Sequence, residues 1–145
     1  MTPLRHKSSL TSIILTSQQI QRLVSLAKDS LPKESCALLA GNKSETKTHV
    51  TDLILMKNSK LSTTSFSIDP QELINAYKNA QKLSMEIVGI FHSHPSGVQP
   101  SSTDRKFMEL NPIIWLIYST GLNKYKAYVL NEKTNETQQV RIITV

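Results

Sequence analysis

Two histidines, His92 and His94, close the apolar run Ile87-Val-Gly-Ile-Phe91, and a carboxylate, Asp104, follows ten residues later. Residues i and i+2 of an extended strand face the same way, so both imidazoles can address one point. Pro95, Gly97 and Pro100 then break the strand into a turn-rich loop. Ser101-x-x-Asp104 reads as the first turn of a helix that carries the carboxylate back toward the histidines. Two imidazoles and one carboxylate, with a position left for water, make an open, catalytic type of zinc site. The plainer alternative is an N-cap serine with an acid in the first turn, beside two polar residues at a strand end.

A zinc ion on three protein ligands acidifies a water and polarises a carbonyl, and that water still needs a general base. Glu34 is the best placed of the eleven acidic residues, because it heads the apolar stretch Cys36-Ala-Leu-Leu-Ala-Gly41. A carboxylate at the head of a core strand costs desolvation unless it lies at the rim or is paired. The alternative is an exposed acid preceding a strand. The other two histidines are less suited: His6 sits in a polar arm and His49 on a distant strand.

The elements that must position these residues follow from periodicity. Ser12 to Leu15 is a short strand. Thr16 with Gln19 forms a capping-box signature, and Ile20, Leu23, Val24, Ala27 and Leu31 recur at helical spacing, which predicts a helix over 17–30 ended by Pro32. Glu34 to Gly41 reads as a buried strand; His49 to Met56 and Ser65 to Ile68 read as two more, joined by a polar connection over 58–64. Asp69-Pro70 starts a second helix running to about Leu83. Ile87 to His94 is the central strand, and the short helix begun at Ser101 stops at Asn111-Pro112. Ile113 to Tyr118 reads as a buried strand in mid-sheet, with Trp115 and Tyr118 as core. Lys124 to Leu130 follows, and Val140 to Thr144 reads as an edge strand. This pattern predicts an α/β fold, a single mixed β-sheet flanked by helices, with residues 1–10 a flexible arm and residues 11–145 one domain.

Composition narrows the classes. The 145 residues are 39% hydrophobic and 19% charged, as in an ordinary globular domain. The net charge of +6 favours an acidic partner, but no lysine-arginine run is dense enough for a nucleic-acid tail, so the basic charge reads as solvated surface. Cys36 is the single cysteine, which excludes an intramolecular disulfide and a structural zinc module of several cysteines, and suits a cytoplasmic setting. No apolar stretch approaches a membrane span, and residues 1–10 lack a signal-peptide core.

With these residues in place the sequence resembles the JAMM (JAB/MPN+) zinc metalloprotease family, in its stand-alone archaeal or bacterial form. The resemblance rests on Pro32-x-Glu34 with the strand after it, on His92-Ser93-His94-Pro95, and on Ser101-x-x-Asp104. It implies a cytidine-deaminase-like MPN/JAB domain. It further implies one zinc ion on His92, His94 and Asp104, with Glu34 as proton shuttle and Ser101 donating to the developing oxyanion. The implied activity is cleavage of isopeptide or peptide bonds after a ubiquitin or ubiquitin-like protein, with a proteasome link among the partners it allows. Six residues separate His94 from Ser101, one fewer than the family pattern. Taking Ser102 instead restores the count but places Arg105, which cannot coordinate zinc, at the ligand position; the loop is therefore read as one residue shorter.

Other readings stand beside this one. A DNA-repair-associated bacterial branch shares a His-x-His-Pro-Ser-Gly loop, and a non-enzymatic MPN scaffold would keep the fold only to bind partners. A base deaminase of related fold needs Pro-Cys-x-x-Cys, which one cysteine cannot supply. A cysteine hydrolase on Cys36 is disfavoured because the thiol lies within an apolar strand. Phe66 and Ile68 read as strand packing, although a neighbouring strand edge could bind an extended C-terminal tail by β-augmentation.

Overall fold

The structure, a computed structural model, describes residues 10–57 and 69–145. Most of the arm, with His6, and the 58–68 segment, with its Ser65 to Ile68 strand, lie outside the described residues. The described elements are β1 (Ser12–Leu15), α1 (Ser17–Ser30), β2 (Cys36–Lys43), β3 (Lys47–Met56) and α2 (Pro70–Lys82). They continue as β4 (Glu86–His94), α3 (Ser102–Leu110), β5 (Ile114–Ser119), β6 (Lys124–Asn131) and β7 (Glu136–Thr144).

The helix starts obey local chemistry. Thr16 caps α1 in a full capping box with Gln19, each side chain bonding the other's backbone N–H. Asp69 caps α2 by accepting from the Glu72 N–H, with Pro70 at the first helical position. Helix α1 ends at Ser30, where Leu31 precedes Pro32 and cannot continue the helical backbone freely.

The seven described strands form one mixed sheet in the order β1-β3-β2-β4-β5-β6-β7, closed by parallel pairing of β1 with β7. That closure corrects the reading of Val140 to Thr144 as an edge. Strand β7 has β6 on one side and β1 on the other, with Ile13 opposite Ile142. The β6–β7 hairpin is a local signal, whereas the β1–β7 pairing joins residues about 130 positions apart and leaves no local pattern. Every described strand has two neighbours, so none of them offers a free edge for β-augmentation.

Alternation divides the core between the two faces of the sheet. Ala37, Leu39, Phe91, Leu116, Tyr118, Ala127 and Val129 pack with Leu23 and Ala27 of α1. On the other face Cys36, Leu38, Ile90, Trp115, Ile117 and Tyr128 pack with Ala76 and Ala80 of α2 and Met108 of α3. Trp115 and Tyr118 are buried, on opposite faces. Strand β5 lies between β4 and β6, inside the sheet. No helix among the described residues is long and apolar enough to cross a membrane.

Candidate metal centre

The centre forms at the C-terminal end of β4, where antiparallel β2 begins. Strand β2 pairs there with Cys36 opposite His92, so Glu34 and Ser35 lie just ahead of the ladder and not within it. The sequence reading began this strand at Glu34. The shift matters because a residue outside the ladder can turn its carboxylate across the end of β4. Glu34 Oε1 lies 3.1 Å from His92 Nε2. From the other side α3 brings in Asp104, with Oδ2 at 2.9 Å from His94 Nε2 and Oδ1 at 3.7 Å from His92 Nε2. The two rings meet edge to face with centroids 4.7 Å apart.

Asp104 is fixed by its helix. Ser101 is the N-cap of α3 and accepts from the Asp104 N–H at 3.1 Å, while Asp104 Oδ2 accepts from the Ser101 N–H at 3.0 Å. Cap and converging carboxylate are therefore one arrangement, and the two readings of Ser101-x-x-Asp104 do not compete. Burial works to raise the Asp104 carboxyl. The His94 hydrogen bond, the nearby charge of His92, the Ser101 amide and the charge of His94 together outweigh it and hold the group below its ordinary range.

His92 is oriented from behind. Its Nδ1 lies 3.2 Å from the Ser35 carbonyl oxygen, which can only accept, so Nδ1 donates there and Nε2 is the nitrogen turned toward the centre. That nitrogen faces two carboxylates. All four side chains are buried, with His94, the most accessible, only 8% exposed. Two buried carboxylates within 2.9 to 3.7 Å of two imidazole nitrogens need positive charge among them, which a divalent cation held by the same atoms would supply. Spacing agrees. Donors about 2.0–2.1 Å from a tetrahedral zinc lie about 3.3 Å from one another, and the pairwise contacts here, 2.9 Å for His94 with one Asp104 oxygen, 3.7 Å for His92 with the other and 3.1 Å for His92 with Glu34, are of that order. One ligand atom each from Glu34, His92 and His94 also lies within 4.8 Å of the others. The donor set fits a metal ion.

Other candidates fall away from this point. His49 is opposite Asn42 at the far end of β2, roughly 20 Å from the centre at a strand's rise per residue. Cys36 is fully buried on the face of His92; burial, and then the charge of Asp104, push its thiol far above the usual range, so it is no nucleophile.

A support that sequence reasoning missed is the turn after β5. Thr120 N–H donates to the His94 carbonyl and Gly121 N–H to the Pro95 carbonyl, at 2.9 and 3.0 Å. A Cβ on Gly121 would stand 2.5 Å from the Pro95 oxygen, so only glycine lets the turn approach the loop between His94 and Ser101. Gly121→Ala should destabilise the protein by about 1–3 kcal/mol in urea melts; an unchanged midpoint would mean that the turn yields freely. The sequence signal was limited to a glycine marking a turn.

Fold and comparisons together place the chain in the family of the JAB domain, to which it belongs. The profile of the prokaryotic homologs of the JAB domain matches residues 16–136. The desampylase of Pyrococcus furiosus is 32% identical over 136 residues, which span 93% of this chain and 92% of that one. A solution structure from Desulfitobacterium hafniense superposes with a TM-score of 0.80 at 29% identity, covering 92% of both chains. One from Salinibacter ruber, at 22% identity and a TM-score of 0.69, covers 94% of this chain and 92% of its own and shares the fold.

Proposed function

We propose that this protein is a zinc-dependent isopeptidase that removes a ubiquitin-like modifier from lysine side chains or C-terminal extensions. In this reading His92, His94 and Asp104 hold the metal, Glu34 is the general base, and Ser101 donates to the developing oxyanion. The observation that carries it is the meeting of two imidazoles and two carboxylates, all buried, at the end of β4. The substrate class is supported by the relative named desampylase, a name that denotes removal of a ubiquitin-like modifier, and by its match along nearly the whole chain.

A zinc ion on these ligands supplies positive charge that acidifies a water and polarises the scissile carbonyl. Glu34 accepts the proton of the attacking water and returns it to the leaving lysine amine, so that no net proton is consumed in the bond exchange. Burial keeps this base from being solvated by bulk water, and its place beside His92 keeps it next to the metal position. Asp104, held low by its partners, stays ionised as a ligand should.

Ser101 Oγ accepts from the Asp104 N–H, and its own O–H is still available to donate. Ser101→Ala therefore should cost about 1 kcal/mol as a lost cap and also lower turnover by roughly 10²–10³ as a lost oxyanion donor. A variant that melts earlier but turns over normally would reduce Ser101 to a cap. Ser101→Asp, which can cap but cannot donate, checks the stability part.

The direct test combines metal analysis with incubation of the purified protein and a ubiquitin-like modifier joined to a lysine ε-amine. One zinc per chain and free modifier are expected. An intact conjugate in the presence of zinc-loaded protein, across several modifiers, would overturn the activity.

A further inference from the structure

We propose that Ser93 is a positioning residue: its hydroxyl holds the peptide carrying Glu34 against the strand that carries both histidines. This rests on the reading of Glu34 as the base. Ser93 lies between His92 and His94, so alternation turns its side chain away from them, toward the α1 face of the sheet. The core on that face is apolar, and Ser93 is buried beside it, 2% exposed. A buried hydroxyl requires partners.

Ser93 Oγ accepts from the Ser35 N–H at 2.8 Å and lies 2.8 Å from Ser35 Oγ, while Ser93 N–H donates to the Ser35 carbonyl at 3.1 Å. That same carbonyl receives His92 Nδ1–H. The Ser35 amide belongs to the peptide bond that joins it to Glu34, just ahead of the β2 ladder. A side chain of β4 thus supplies the acceptor that strand pairing does not supply at this step. Two successive residues of β4 grip Ser35: Ser93 through the amide and carbonyl, His92 through the carbonyl. One serine clasp therefore sets both where Glu34 enters the centre and which nitrogen of His92 faces the metal position.

Without the Ser93 hydroxyl the Ser35 amide is buried with no acceptor, and its peptide must tilt to find one. Glu34, one bond away, moves with it, while the Ser35 carbonyl stays on the Ser93 N–H. Misplacement of a catalytic group by about 1 Å costs on the order of 10² in rate. Ser93→Ala should therefore lower kcat by about that factor, leave KM within about threefold and retain one zinc per chain.

The test sets Ser93→Thr against Ser93→Val, which are alike in shape but differ in the hydroxyl. Threonine should restore kcat to within about threefold of the parent, and valine should resemble alanine. Equal behaviour of threonine and valine would overturn the proposal, because packing alone would then explain the site. Hydrogen exchange reads the clasp independently of turnover. The Ser35 amide should be protected in the parent and the threonine variant and exchange much faster in alanine and valine; equal protection in all four would overturn it. If the serine-free variants fail to fold, hydrogen exchange of the parent decides: the Ser35 amide should be protected as strongly as the β2 amides, and exchange at loop rates would overturn the clasp. Absent peptidase activity in the parent, with the exchange pattern as expected, would refute the assigned reaction and leave the clasp standing.

Discussion

Glu34→Gln is expected to leave the protein folded and zinc-loaded while lowering turnover by about 10²- to 10⁴-fold. Glutamine keeps the shape of the side chain and an oxygen toward His92, so packing at this buried position is little changed. It loses the negative charge and the ability to take a proton from water. A large fall in kcat with full metal content places Glu34 outside the metal shell as the base. The Oε1–Nε2 separation of 3.1 Å lies equally within the range of a first ligand sphere, so metal analysis has to accompany the kinetics. Loss of zinc in this variant would assign Glu34 as a ligand, and unchanged turnover would return it to a structural role.

Chelation should remove one zinc per chain and with it all measurable turnover, and re-addition of zinc should restore both. The fold should survive. Its two apolar clusters lie on either side of the sheet and include none of Glu34, His92, His94 and Asp104. Stability should nevertheless fall, since an ion that binds only the native state contributes RT ln(1 + [L]/Kd), about 4 kcal/mol at a thousandfold excess over Kd. For a domain of this size that corresponds to a drop in Tm on the order of 10 °C. A protein purified under native conditions that contains no zinc and melts identically with and without chelator would sink the metal assignment.

The centre shows what one-dimensional reasoning can and cannot reach. His92 and His94 were legible because the period of a strand is two and the apolar run before them announces one. Ser101 and Asp104 were legible because an N-cap and its N3 partner are three residues apart, and that spacing is both the capping signature and the way the carboxylate is turned inward. Helix α1 appears at Ser17–Ser30, as its 3.6-residue period and Thr16 require. In each case the energy that selects the conformation is exchanged within one or two turns of chain.

Tertiary structure alone decided the rest. Glu34 reaches His92 through the antiparallel register of β2 on β4, across 58 positions of sequence, and register is chosen by burial of whole faces and not by any one residue. The Ser35–Ser93 clasp follows from the same register; its only trace in sequence is a hydroxyl on an apolar face. The approach of Gly121 to Pro95 depends on the parallel β4–β5 pairing, which sets the turn beside the loop. Closure of the sheet is the clearest case. Strand β1 finds β7 and β3 together because both of its sides must satisfy backbone N–H and C=O groups, and that demand specifies only that partners exist. Which strands become those partners is settled by the packing of the whole domain.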